Sequence, residues 1–149
     1  MGAPPNPTDR PAAGYSGTAL VQKLGFKAGM KVAILGAPEG FDETLGALPE
    51  GVAVARRLGG SKDMVIAFVT ERAVLERRLE ALRAAIAPDG MVWVAWPKKA
   101  AKMDTNITED VVREVVLPTG LVDVKVCAID AVWSGLKLVW RRGRRHGKA

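Results

Sequence analysis

Few residues in this chain have types and spacing that suit chemistry. Gly36-Ala37-Pro38-Glu39-Gly40 is a glycine turn between an apolar run and Phe41. Such a turn can offer backbone N–H groups to an anion at the start of a helix. Thr70-Glu71 ends a second apolar run, and Trp96-Pro97-Lys98-Lys99, with Lys102 behind, sets an indole ring beside positive charge. If the runs are parallel strands, all these positions meet at one edge, because ligands bind beyond the carboxyl ends of such strands. Gly36, Glu39, Gly40, Thr70, Trp96, Lys98 and Lys99 are therefore the candidate ligand-binding residues, suited to a nucleotide-like or other small anion. The plainer alternative is a structural turn, a solvated lysine loop and a tryptophan that belongs to the core.

Catalytic groups are scarce. Glu39 and Glu71 have the chemistry of a general base, but each equally suits a helix N-terminus, where an acid balances the dipole. The one histidine, His146, lies among arginines near the end of the chain. No Ser/His/Asp set and no metal-ligand spacing forms around it. Cys127 sits in an alternating stretch, where a free cysteine behaves as a small buried hydrophobe. The sequence assigns no catalytic residue, no cofactor and no metal.

The elements that must position these residues are legible from periodicity. Leu20, Val21 and Leu24 give a short helix after Thr18, with Gly25 to stop it. Lys31–Gly36 and Met64–Val69 are continuous apolar runs, as expected of strands covered on both faces. Val52–Val54 is a briefer strand, and Phe41–Leu48 a short helix ended by Pro49. Leu75, Leu79, Leu82 and Ile86 mark the clearest helix, Glu71–Ala87. Pro88-Asp89-Gly90 turns the chain into the Met91–Trp96 strand. Asn106, with Glu109 three residues on, reads as a capping box opening a last helix with Val111, Val112, Val115 and Val116 as its buried stripe. Finally, Val122, Val124, Val126 and Ala128 alternate with Asp123, Lys125 and Cys127, and Leu136–Trp140 follows closely. Strands so near in sequence pair antiparallel. The expected fold class is α/β: a Rossmann-like three-layer sandwich whose mostly parallel sheet ends in an antiparallel hairpin.

Length, 149 residues, fits one domain, expected over residues 15–140. A Pro-rich arm at 1–14, with Pro4, Pro5, Pro7 and Pro11, is expected to stay disordered. The mean hydropathy is +0.08, and no stretch reaches the ~20 apolar residues of a membrane span. With no secretory signal and no second cysteine for a disulfide, the expectation is a cytoplasmic protein without a membrane partner. The net charge of +6 is uneven: Arg141, Arg142, Arg144, Arg145 and Lys148 supply +5, which leaves residues 1–140 at +1. Nucleic acid is thus expected as a partner only through the 141–149 tail, and the plainer reading is a solubilising terminus.

Three segments resemble the class I S-adenosylmethionine-dependent methyltransferases. Lys27–Gly36 is similar to their opening strand and glycine turn, Lys62–Ile66 to their acid followed by an apolar strand, and Ala87–Val94 to the turn and strand after their long helix. The closing hairpin resembles their sheet edge. More specifically, Gly36-Ala37-Pro38-Glu39-Gly40-Phe41, Trp96-Pro97-Lys98-Lys99 and Trp133-Ser134-Gly135-Leu136-Lys137-Leu138-Val139 together resemble a small bacterial family of unknown function, which implies a fold and no activity. Four departures bear on the cofactor that the methyltransferase resemblance implies. Ile34 stands where an acid is usual, Pro38 replaces a central glycine, and Arg56-Arg57 follow the second strand where an acid holds the ribose. The 21 residues Phe41–Ser61 leave no room for the usual third strand and its helix. The expected function is a degenerate methyltransferase-like binding module for a small anionic ligand or a protein partner. The alternatives are an active methyltransferase and a nucleic-acid-associated protein.

Overall fold

The computed structural model describes residues 19–141. The Pro-rich arm, Thr18, His146 and the tail beyond Arg141 lie outside the described residues. The elements run α1 (Leu20–Leu24), β1 (Lys31–Leu35), α2 (Phe41–Leu45), β2 (Ala53–Ala55), β3 (Lys62–Phe68), α3 (Arg72–Ala85), β4 (Ile86–Pro97), α4 (Glu109–Val116), β5 (Leu121–Ala128) and β6 (Trp133–Trp140). They form one six-stranded sheet in the order β2-β1-β3-β4-β6-β5. The first four strands are parallel, and β6 lies antiparallel to both β4 and β5. The expected three-layer α/β architecture is the one observed.

Handedness explains the layers. The chain steps from β1 to β2 in one direction along the sheet and from β3 to β4 in the other. Right-handed crossovers therefore place α2 and α3 on opposite faces. Met64, Ile66 and Phe68 pack under α1 and α2 with Val21, Leu24, Phe41 and Leu45. Val65, Ala67 and Val69 pack under α3 and α4 with Leu75, Leu82, Val112 and Val116. Both sides of β3 are thus core, which is why its sequence is apolar without alternation. Trp93 is fully buried in the first of these clusters, and its Nε1–H donates to the Leu24 carbonyl at 2.9 Å. That bond fastens the end of α1 to β4.

Several boundaries differ from expectation for local reasons. α2 stops at Leu45 rather than Leu48 because Gly46 takes a φ of 78° and closes the helix on the Asp42 carbonyl. The Pro88–Gly90 turn is absorbed into β4 as a bulge between the pairs Lys62–Ile86 and Met64–Met91. At its tip a Cβ on Gly90 would stand 3.0 Å from the Lys62 carbonyl oxygen. The cap of α4 is Thr108, whose Oγ accepts the Val111 N–H at 3.2 Å, and not Asn106.

The alternation in β5 does not bury its valines. β5 is an edge strand with an irregularity between Asp123 and Lys125, and Val124 and Val126 are 52% and 44% exposed. Leu121 and Cys127 are its buried residues. Asp123 instead accepts from Arg113 of α4 at 2.8 Å, and that guanidinium holds its carboxyl below the ordinary carboxylate range.

Candidate functional site

The strand order reverses between β1 and β3, the position where an open α/β sheet has its crevice. Here the crevice is narrow by construction. Gly36 leaves β1 at a φ of 69°, and a Cβ there would lie 3.0 Å from the Phe68 carbonyl oxygen at the end of β3. On the α1–α2 side, the Phe68 ring packs edge-on between Phe41, at 4.9 Å, and Trp133, at 5.1 Å. This aromatic row runs beneath the carboxyl ends of the strands and continues the core to their tips.

Beyond Gly36 the turn opens into a concavity of about 200 Å³ lined by residues 37–43 and Arg56. Gly40 has a φ of 88°, and a Cβ there would meet nothing within 4 Å. Glu39, Asp42 and Glu43 are exposed. Arg56, at the end of β2, makes two bonds to Asp42, at 2.9 and 3.1 Å. The arginine is thereby neutralised, and the rim of the concavity carries more acid than base. A rim of that sign does not favour an anion.

The remaining candidates do not gather at this concavity. Lys98 and Lys99 follow β4, two strands from β1 and so about 10 Å away at ordinary strand spacing. The Lys98 N–H donates to the Val132 carbonyl at 2.7 Å, tying the end of β4 to the β5–β6 turn. Lys99 is exposed in the 3₁₀ turn Lys99–Ala101. Trp96 is 6% exposed and packs in the α3–α4 core, so its ring does not stand open as a stacking platform. Thr70 has its carbonyl occupied: Thr105 Oγ1 donates to it at 2.7 Å and the Asn106 N–H at 3.3 Å.

The loop after β4 therefore folds back over the end of β3. Asn106 Oδ1 also accepts the Arg72 N–H at 2.7 Å, capping α3 from 34 residues away. The amino end of α3, which an anion would seek, is served by the chain itself. Removing this cap is expected to have a local cost: Asn106→Ala should lower unfolding stability by about 1–2 kcal/mol. Asn106→Asp, which retains an accepting oxygen, should lose less. Urea denaturation of the two variants measures the difference, and equal losses would contradict the assigned role.

The acid of the Lys62–Ile66 segment lies at the other end of the sheet, where Asp63 accepts the Lys31 N–H at 2.8 Å. Among the described residues no group of three or more His, Cys, Asp or Glu is placed to hold a metal ion. No helix among them is long and apolar enough to cross a membrane. Sequence reasoning missed the Arg56–Asp42 pair, the Phe41–Phe68–Trp133 row and the Thr105–Asn106 clasp. Only the short distance between the turn and Arg56 hinted at the first.

No protein-family model matches the sequence, and no curated protein matches it. Solved structures do. The chain is similar to the ribosomal protein L11 methylase of Lactobacillus delbrueckii subsp. bulgaricus, with a TM-score of 0.54 and 13% identity over 83% of this chain and 76% of that one. It is similar to a SAM-dependent methyltransferase from Aquifex aeolicus, with a TM-score of 0.54 and 15% identity over 80% and 86%. Magnesium protoporphyrin IX methyltransferase from Synechocystis aligns with a TM-score of 0.53 and 15% identity over 76% and 74%. At these identities the likeness is one of fold. The chain has the Rossmann-like fold of the class I methyltransferases.

Proposed function

We propose that this chain uses a methyltransferase-like scaffold to bind a protein partner and does not transfer methyl groups. The observation that carries the reading is the bond pair between Arg56 and Asp42. The resemblance implies a ribose-holding acid at the end of the second strand. Arg56 occupies that place, turned onto α2 and neutralised there. The residues present do not fit S-adenosylmethionine. The concavity at the glycine turn measures about 200 Å³, whereas sites for ligands of that size span roughly 300–1,000 Å³. Pro38 lacks an N–H to offer, and Thr70 and the start of α3 are already bonded to Thr105 and Asn106.

Between the two ligand classes expected from sequence, the rim supports a protein better than a small anion. Glu39 and Glu43 are exposed beside a paired arginine, while Lys98 and Lys99 stand two strands away. The test is a thermal-shift panel of S-adenosylmethionine, nucleotides and inorganic phosphate. A ligand at 100 times its dissociation constant stabilises by about 2.7 kcal/mol, equivalent to a rise of roughly 5–10 °C in a domain of this size. No shift is expected from any of them. A shift with S-adenosylmethionine would restore the methyltransferase alternative, and one with phosphate or nucleotides would restore the small-anion reading.

A further inference from the structure

The near-neutral charge of the body conceals a segregation that the fold creates. The acidic rim of Glu39, Asp42 and Glu43 lies at the carboxyl end of the parallel strands. At the other edge of the sheet, where β6 and β5 follow β4, three lysines from distant parts of the sequence converge on the α1 side. Lys125 of β5 and Lys137 of β6 are direct cross-strand partners, and Lys137 is in turn the partner of Trp93 in β4. Partnered residues share a sheet face, so both lysines stand on the side of the Trp93 ring. The last turn of α1 covers that side of β4, through the Trp93–Leu24 bond and through Gly25, where a Cβ would lie 3.4 Å from the end of Met91. Lys27 follows Gly25 by two residues.

Burial depresses the Lys137 pKa, and the charges of Lys125 and Lys27 depress it further. None of the three lysines takes part in an ion pair among the described residues. The nearby Asp123 is held by Arg113 from α4, on the other face. Like charges directly opposite in a ladder repel, so this arrangement opposes folding and calls for a counter-charge from outside. The row also has a direction. The ladder continues past β6 through the Arg141 N–H bond to the Gly120 carbonyl, 2.9 Å. Arg141 stands four residues from Lys137, about 13 Å along an extended chain. Arg142, Arg144, Arg145 and Lys148 follow in the sequence.

We propose that Lys27, Lys125, Lys137 and Arg141 form a binding track for the phosphate backbone of a nucleic acid, on the α1 side of the sheet at its β4-β6-β5 edge. A patch of cations that have no ion-pair partner among the described residues, extended along β6 to Arg141, matches a polyanion. An anionic lipid surface matches it less well, because the exposed Val126 pairs with Leu136 of the α3–α4 core and so belongs to the other face. Among the described residues the exposed apolar side chain that adjoins the lysines is Val124, and a single valine is a poor membrane anchor.

The test is a salt titration of binding to a 20-base-pair DNA duplex by the full chain, at 50–200 mM salt. The wild type should bind with a steep negative salt slope. A Lys27→Ala, Lys125→Ala, Lys137→Ala variant, with its tail intact, should bind roughly tenfold or more weakly at 50 mM, with a slope shallower by about 2–3. Its melting temperature should equal or exceed the wild type's, because a repulsion is removed. Lys125→Glu, a single change at an exposed position, should weaken binding in the same direction. Lys98→Ala, Lys99→Ala, Lys102→Ala, equal in charge removed, should leave it unchanged. Equal binding by the wild type and the Lys27/Lys125/Lys137 variant would assign the affinity to the tail alone and overturn the proposal. So would equal losses in both triple variants, absence of binding at 50 mM salt, or binding to phosphatidylserine vesicles without binding to the duplex.

Discussion

Trp93→Ala is expected to lower unfolding stability by about 3–5 kcal/mol, and Trp93→Phe by about 1–3 kcal/mol. The ring is fully buried where β4 meets β6, under the end of α1. Its removal leaves a void between the sheet and α1 that the short helix cannot refill without moving. Phenylalanine keeps most of the ring but loses the N–H that satisfies the Leu24 carbonyl at 2.9 Å. That acceptor lies in the last turn of a helix and stays buried when its donor is gone. The same ring accounts for Gly135 in the opposing strand, where a Cβ would stand 3.1 Å from the Trp93 ring and 3.2 Å from Ile129. Urea unfolding followed by circular dichroism measures both variants. An unchanged midpoint for Trp93→Phe would contradict the role given to the indole N–H.

Gly36→Val is expected to cost about 2–4 kcal/mol, through two additive causes. The residue sits at a φ of 69°, in the left-handed region that a β-branched side chain resists. Its first side-chain atom would also stand 3.0 Å from the Phe68 carbonyl oxygen, which cannot move without disturbing the end of β3. Gly40→Ala, at a φ of 88° but facing open space, carries only the first cause and should cost about 1–2 kcal/mol. The contrast between the two glycines is the useful measurement. A phosphate-cradling turn would make both matter for ligand affinity, whereas the close approach to the Phe68 carbonyl makes Gly36 alone matter for packing. Equal destabilisation by the two variants would remove the close approach from the account.

These two sites also mark what the sequence could and could not reveal. Met64–Val69 was legible as a buried strand because both faces of β3 meet helices, which leaves a plain apolar run. α3 was legible because its apolar positions recur at helical spacing beneath a charged face. The antiparallel pairing of β5 with β6 followed from the short distance between the last two strands. The role of Asn106 was not legible, because its partner, the Arg72 N–H, is 34 residues away and local spacing suggested a cap for the wrong helix. β5 misled for a related reason: alternation marks two faces of a strand but does not say whether a helix covers either one at the sheet edge. Trp96 carried the signature of a strand-end aromatic, yet its place in the alternation of β4 turns it into the α3–α4 core. The lysine track was invisible in the sequence because Lys27, Lys125 and Lys137 form no run: strand pairing across β4, β6 and β5 brings Lys125 to Lys137, and the packing of α1 on β4 brings Lys27 to that side.

The central claim is that the methyltransferase-like fold persists here without its cofactor site. Titration calorimetry of the full chain with S-adenosylmethionine and S-adenosylhomocysteine tests it most directly. Arg56 at the end of β2, its bonds to Asp42 and the narrow turn at Gly36 predict no saturable heat with either compound at protein concentrations of about 100 μM, where a micromolar site would give a full isotherm. A micromolar dissociation constant for either compound would contradict the account and return the chain to the active methyltransferases.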